Sequence, residues 1–116
     1  MNTTAFTLSE IEKVRESLGE SWHEFLNLSS LSMGLYHIAA GANDRESHSP
    51  HDQDEIYVGV SGHGHLSADG VVYEVGAGSI VYVRAGVEHH FHDVTEDLCV
   101  LVFFAGRADA GNGEPE

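Results

Sequence analysis

Two short segments of the sequence hold most of its side chains able to bind a metal or move a proton. The first is SHSPHDQDEIYVGV, residues 47–60. Strand side chains alternate between two faces, so His51, Glu55 and Tyr57 share one face if the strand is regular that far. Imidazole and carboxylate ligands suit zinc, manganese or ferrous iron, although the same pair could form a buried hydrogen bond. His48 lies at an odd spacing before Pro50, so it joins this face only if the chain bends there.

The second segment is RAGVEHHFHD, residues 84–93. In a regular strand His89, Phe91 and Asp93 share one face, and His90 and His92 share the other. If the chain closes into a barrel, one of these sets faces inward beside His51 and Glu55. Periodicity alone leaves both choices open.

The elements that would hold these residues are mostly strands. TLSEIEKVRESL, residues 7–18, predicts one helix because Thr7 and Glu10 have capping-box spacing and the apolar residues recur at helical intervals. From Trp22 onward, short apolar segments alternate with glycine-containing turns, and Asp69-Gly70 is a hairpin signal. We therefore expect one domain of 116 residues: a helix at about 7–18, a sandwich or barrel at about 22–105, and a mobile tail at about 106–116.

Composition restricts the partners and the compartment. The formal net charge of -14 repels phosphate backbones and anionic lipid, so we expect neither nucleic acid nor membrane as a partner. The single cysteine, Cys99, lies in the apolar segment LCVLVFF and is expected to be a buried apolar side chain. The N-terminus does not resemble a secretory signal. These features predict a cytoplasmic protein.

The two segments together resemble the paired motifs of the cupin superfamily. GANDRESHSPHDQDEIYVGVSG matches the first motif through His51, Glu55 and Gly62, and GSIVYVRAGVEH matches the second, with Arg84 where a proline is usual. The resemblance covers roughly residues 32–105. It implies an all-β, double-stranded β-helix (jelly-roll) barrel with one divalent metal ion, Fe, Mn, Zn or Ni, in its mouth. It also selects His89 over His90.

Similarity to cupins implies the metal ligands His51, Glu55 and His89. The usual first histidine is replaced by Ser49, so His48 completes the site through the Ser49-Pro50 bend or water takes that position. The resemblance implies a mononuclear metalloprotein that acts on a small molecule as a dioxygenase, isomerase, lyase or decarboxylase. The alternative is a non-catalytic binding or structural module.

Two further residues are candidates for proton transfer, and the expected barrel predicts self-association. Tyr57 is the candidate acid or base because it shares the face of Glu55, and His92 is a candidate for a supporting contact or proton relay. A buried structural tyrosine is the alternative for Tyr57. We also expect a homodimer, because a small barrel leaves strand edges to cover and single-domain cupins usually pair.

Overall fold

The computed structural model describes residues 3–42 and 52–106, and within those ranges it contains one helix and six strands. In chain order they are α1 (Leu8–Leu18), β1 (Trp22–Asn27), β2 (Leu31–Ile38), β3 (Glu55–Ala68), β4 (Val71–Gly76), β5 (Ile80–Val83) and β6 (His89–Ala105). The prediction of an all-β protein with one short N-terminal helix is confirmed.

The strands form an antiparallel sheet in the order β1-β2-β6-β3-β4, and β5 also pairs with β3. The first half of β3 pairs with β5, and its second half pairs with β4. β6 follows β3 along both halves. Because these two long strands take part in both halves of the wall, the sheet curves over itself as a jelly roll, and its inner face encloses the main apolar core.

β3 and β6 have 14 and 17 residues and are longer than the short apolar segments that the sequence predicted. β3 continues through Ser61-Gly62 with shifts in register between Gly59 and His65. Gly62 has a φ of 87°, and a Cβ there would lie 1.9 Å from the backbone oxygen of Asp97. The glycine therefore lets the strand bend against β6 without ending.

The hairpin turn between β3 and β4 lies at Asp69-Gly70, as predicted. Asp69 and Gly70 have φ values of 53° and 78°. Positive φ at both central residues is the requirement of a type I′ turn, which Asp-Gly satisfies at low cost.

Helix α1 covers one part of the outer face of the sheet. It begins after Thr7, whose hydroxyl accepts a hydrogen bond from the Glu10 backbone N–H, and ends before Gly19, as predicted. Ile11 packs in a second apolar cluster with Leu35 and Cys99. The described part of the chain holds no helix with the length and apolar character needed to cross a membrane.

Cys99 is buried as expected, and its thiol has low reactivity. Burial, followed by the nearby Glu12 carboxylate, raises the pKa of the Cys99 thiol to about 11. The thiol therefore stays protonated at neutral pH, with its Sγ 3.7 Å from the Glu12 Oε2 atom.

The packing of α1 predicts that Ile11→Ala destabilises the fold. It removes a buried side chain between helix and sheet, so the free energy of unfolding should fall by about 2–3 kcal/mol. Val72→Ala, which shortens an exposed side chain on β4, should change it by less than ~0.5 kcal/mol. Urea unfolding followed by circular dichroism measures both, and equal effects would contradict the assigned role of α1.

Candidate metal site

Glu55 and Tyr57 point into the barrel from the start of β3. Both side chains are buried, and Glu55 has only 2% of its surface exposed. The Tyr57 hydroxyl donates a hydrogen bond to the Glu55 Oε1 atom at 2.6 Å. The shared face predicted from their spacing is therefore present. A carboxylate this deeply buried requires polar partners or a cation, because its water has been removed.

His89 enters the same interior from the first position of β6 and is 6% exposed. Its Nδ1 atom lies 2.8 Å from the Val87 carbonyl oxygen. A carbonyl only accepts hydrogen bonds, so Nδ1 carries a proton and donates it. In the neutral imidazole this leaves the lone pair on Nε2, which lies 2.9 Å from the Tyr57 hydroxyl and 3.6 Å from Glu55 Oε1.

Glu55, Tyr57 and His89 therefore form a connected polar group inside an apolar barrel. Two hydrogen bonds join the three side chains, and two protons are needed to make them. The tyrosine hydroxyl donates its proton to Glu55, so the bond between Tyr57 and His89 needs a proton on Nε2. Binding of a cation to this carboxylate and imidazole would release that proton.

The loop between β5 and β6 brings His89 to Glu55. Val83, the last residue of β5, pairs directly with Glu55, so the five-residue loop that follows starts beside the site. The Asp54 Oδ1 atom accepts a hydrogen bond from the Ala85 backbone N–H at 2.8 Å, which ties the loop to the start of β3. Sequence reasoning missed this role of Asp54, whose position next to Glu55 was the available signal.

The remaining sequence-predicted site residues are His48, His51 and His92. His48 and His51 fall outside the described residues, so their assignment as ligands stays a prediction. The structure does not bring His92 to Glu55 and His89: it lies on the opposite face of β6, with Nε2 2.7 Å from the Ser67 hydroxyl and Nδ1 3.0 Å from Asp93 Oδ2. Strand alternation places it there, because His92 is three residues from His89.

His63 and His65 share the outer face with His92. The rings of His65 and His92 stack with centroids 5.9 Å apart. His63 Nε2 lies 2.7 Å from Glu74 Oε2, and this hydrogen bond lowers the pKa of the Glu74 carboxyl group. These contacts lie on the side of the sheet opposite to Glu55 and His89.

Aromatic side chains flank the polar group on the inner face. Phe104 is the strand partner of Glu55, and Phe91 lies edge-on to the Tyr57 ring with centroids 5.1 Å apart. The Trp22 ring contacts both Phe104 and Tyr36 at centroid distances of 5.9 and 6.3 Å. We call Trp22, Tyr36, Phe91 and Phe104 the aromatic wall. No local sequence pattern reveals it, because its residues come from three separate strands.

Gly34 makes room for the aromatic wall. A Cβ at this position would lie 2.1 Å from a ring carbon of Trp22. Since β1 and β2 are neighbours and Gly34 has no side chain, the indole lies flat over the β2 backbone and reaches Phe104.

Glu55 and His89 fit a divalent metal in type and orientation. Residues 3–42 and 52–106 contain no group of three or more His, Cys, Asp or Glu side chains that could hold a metal. Two ligand atoms each about 2.1 Å from a tetrahedral zinc ion lie about 3.4 Å apart, close to the 3.6 Å observed. The bond from Nδ1 to a backbone carbonyl is also typical of metal-binding histidines.

Comparison with known sequences places the chain in a described family. The profile of the cupin domain matches residues 34–104. An uncharacterized protein of Streptomyces coelicolor is 44% identical over 101 residues, which cover 87% of this chain and 94% of that protein. This relative carries no assigned activity that could be compared.

Solved structures share the fold at low sequence identity. A protein of unknown function from Rhizobium leguminosarum has a TM-score of 0.73 at 19% identity, over 92% of this chain and all of that one. DMSP lyase DddQ from Ruegeria pomeroyi has a TM-score of 0.66 at 18% identity, over 82% of this chain and 48% of that one. KdgF from Halomonas sp. has a TM-score of 0.65 at 18% identity, over 76% of this chain and 81% of that one.

The aromatic wall predicts that Gly34→Ala displaces the indole of Trp22. The new methyl group would overlap the ring, so the ring must move away from Phe104. Trp22 is the single tryptophan of the chain, so its emission reports this directly. We expect a red shift in Gly34→Ala. Gly76→Ala, where the atom nearest to the new Cβ is 3.4 Å away, should leave the emission maximum unchanged.

Proposed function

Because this chain belongs to the cupin family, we propose that it binds one divalent metal ion through His51, Glu55 and His89 and acts on a small organic molecule. The candidate metals are Fe, Mn, Zn and Ni. His48 is the candidate fourth ligand. The ligands are taken from the paired motifs of the sequence. Two of them, Glu55 and His89, lie in the described part of the barrel, and their contact supports the proposal.

The observation that carries the proposal is the buried contact between Glu55 and His89. A carboxylate and an imidazole 3.6 Å apart, both nearly without exposed surface, lie inside an apolar core. Such a pair is costly to build for stability alone, and packed apolar residues of equal volume often serve as well. A bound cation explains better why a carboxylate and an imidazole lie together in the apolar core.

Each residue of the site has a separate task in this proposal. The bound metal would act as a Lewis acid that polarises an oxygen of the substrate. Glu55 and His89 hold their ligand atoms toward one point, and the Val87 carbonyl fixes the His89 tautomer. The Tyr57 hydroxyl, 2.6 Å from Glu55 and 2.9 Å from His89, holds a proton beside both groups.

Tyr57 favours a reaction of the isomerase or lyase type over oxygenation. A hydroxyl between a carboxylate and an imidazole can pass a proton in either direction, which is the requirement of acid–base catalysis next to a carbonyl. The likeness to DMSP lyase DddQ and to KdgF concerns the fold, at 18% identity for each. Our choice of reaction class therefore rests on Tyr57.

The aromatic wall favours a substrate with a planar, apolar part. Trp22, Tyr36 and Phe104 are half-buried, so their rings have surface left to contact a ligand. Aromatic rings contact flat conjugated groups by offset stacking or edge-to-face packing. A small carbonyl or carboxyl compound with a conjugated or aromatic body combines this preference with an oxygen for the metal.

The alternative function is a barrel that binds a ligand without catalysis. In that case the polar group of Glu55, Tyr57 and His89 needs no metal, because its hydrogen bonds already connect its members. The two functions differ in metal content and in proton exchange, and both can be measured.

For metal binding we predict that His89→Ala and Glu55→Gln lose the ion, while His90→Ala retains it. His89 and Glu55 are inner-face ligands, whereas His90 lies on the other face of the same strand. Removing one ligand bond should reduce the metal content of purified protein at least about tenfold. Elemental analysis of protein purified without chelator measures it.

Two results of this experiment would contradict the proposal. Wild-type protein without stoichiometric metal, even after incubation with each candidate ion, would support the metal-free alternative. Full metal content in His89→Ala together with loss in His90→Ala would mean that the other face of β6 holds the ion. Thermal melting of every variant separates loss of metal from loss of fold.

For proton transfer we predict that metal-loaded protein exchanges a carbon-bound hydrogen of its substrate class with deuterium oxide. Proton NMR of a panel of carbonyl and carboxyl compounds, with planar and linear members matched in size, measures this exchange. Tyr57→Phe should slow it about 100-fold or more and leave the metal content unchanged. Exchange at the wild-type rate in Tyr57→Phe would remove Tyr57 from the reaction, and oxygen consumption by the wild type would favour oxygenation.

A further inference from the structure

Two histidine pairs lie side by side on the outer face of the sheet, where β3 pairs with β4 and β6. His63 and His65 are two residues apart on β3, and His90 and His92 are two residues apart on β6, so each pair points to one side of its strand. The register makes His65 the direct partner of His92. Along the group, the centroids of neighbouring rings are 5.5, 5.9 and 5.0 Å apart.

Asp93 fixes the tautomer of both His65 and His92. The His65 Nδ1 atom lies 3.1 Å from the Asp93 carbonyl oxygen, which only accepts hydrogen bonds, so this Nδ1 carries the proton. The His92 Nδ1 atom lies 3.0 Å from the Asp93 carboxylate and donates to it in the same way. In both neutral rings the lone pair is therefore on Nε2. Metal-binding histidines are usually held through their other nitrogen by a carbonyl or a carboxylate.

The backbone of Asp93 has an uncommon conformation that allows both contacts. Its φ is 47°, a value that aspartate and asparagine adopt more readily than other residues with a side chain. The register between β3 and β6 shifts at the same place, between His63 and His65. The Asp93 carbonyl therefore contacts β3 while its carboxylate stays beside His92. An uncommon backbone conformation that orients two imidazoles points to a function for them.

Both Nε2 atoms are within reach of an ion from solvent. The His65 ring is half-buried, and no described residue forms a hydrogen bond to its Nε2 atom. The His92 side chain is 17% exposed, and its Nε2 atom accepts a hydrogen bond from the Ser67 hydroxyl at 2.7 Å. A serine hydroxyl can exchange this bond for one with water. An ion can therefore contact both nitrogens without any opening of the barrel.

The distance between the two rings suits a shared ion. Imidazoles bound to one ion at about 2.1 Å have centroids about 5.3 Å apart in a tetrahedral site and about 6.5 Å apart at opposite positions. The observed 5.9 Å between His65 and His92 lies between these values. The part of the chain that the structure describes holds no three His, Cys, Asp or Glu side chains that could bind one ion. Such a site would thus have two protein ligands and water.

Ligand type and charge restrict the ion. Imidazole ligands suit Cu(II), Ni(II) and Zn(II), and among these Cu(II) binds a given set of nitrogen ligands most tightly. The Asp93 carboxylate lies beside one ring, and Glu74 on β4 is the strand partner of His65. The chain also has a formal net charge of -14. A cation is therefore attracted to this surface.

We propose that His65 and His92 form a second metal site, on the outer face of the barrel, that binds Cu(II), Ni(II) or Zn(II) together with water. Asp93 is the positioning residue of this site. The site goes beyond the proposed function, because it uses neither Glu55 nor His89. With two protein ligands and access to solvent, it exchanges its ion during purification, so it is filled by added metal.

Calorimetric titration with Cu(II) at neutral pH tests the proposal on full-length protein stripped of metal by a chelator. The double variant His65→Ala/His92→Ala should bind one equivalent less than the wild type. His89→Ala should retain that equivalent, and its electron paramagnetic resonance spectrum should show coupling of copper to two nitrogens. His23→Ala is the matched control, since it removes a half-buried strand histidine outside the group, and should bind as much copper as the wild type.

Asp93→Asn tests the positioning role. Asparagine tolerates the positive φ, but its neutral amide holds the Nδ1 proton of His92 less strongly than a carboxylate does. The affinity for Cu(II) at this site should fall about tenfold. The number of bound ions, the coupling to two nitrogens and the melting temperature should not change. Wild-type affinity in Asp93→Asn would show that Asp93 does not position the ligands.

The comparison of the wild type with the double variant keeps this proposal separate from the interior site. Equal copper binding by these two proteins overturns the outer site, whatever the interior binds. Loss of the same equivalent in His23→Ala overturns it as well, because binding would then not depend on this group. Circular dichroism checks the fold of each variant. If the double variant does not fold, His65→Asn, whose amide can still donate to the Asp93 carbonyl, replaces it with the same expected loss.

Discussion

The buried contact among Glu55, Tyr57 and His89 is the constraint on which the rest of the barrel depends. Three polar groups removed from water must stay within hydrogen-bonding distance of one another, since an unpaired carboxylate in an apolar interior costs several kcal/mol. The contact joins the first residue of β3 to the first residue of β6. It holds only if β5 stays paired beside Glu55 and the loop bound by Asp54 keeps its path. The geometry of this polar group therefore depends on the register of β3, β5 and β6.

The same strands carry a buried polar group on one face and exposed apolar side chains on the other. The inner positions of β3 and β6 hold the polar group and part of the aromatic wall. Their outer positions change character along the strand. They are apolar in the half that pairs with β5 and rich in histidine in the half that pairs with β4. The change falls at the irregular register around Gly62, where β3 bends. The bend divides β3 into two halves, one paired with β5 and the other with β4.

The local features of the sequence predicted much of this structure. The helix formed because its cap, its periodicity and its glycine stop agree, and the Asp69-Gly70 turn formed because both residues tolerate positive φ. Short strands from Trp22 onward were predicted in outline, but their lengths were not. The bend at Gly62 brings its backbone close to that of Asp97, 35 residues away, so no local pattern distinguishes it from a strand end. The aromatic wall was missed for the same reason.

What the sequence by itself determined about the site is the pairing of Glu55 with Tyr57, because a spacing of two residues places both on one face of any regular strand. It left His89 and His90 as equal alternatives, and resemblance to cupins chose between them. The tertiary structure decided that His89 and Phe91 face inward and that His92 faces out. It also decided that most of the apolar side chains of α1 stay exposed. Alternation assigns residues to two faces, but closure of the sheet determines which face becomes the interior, and closure depends on contacts among strands far apart in the chain.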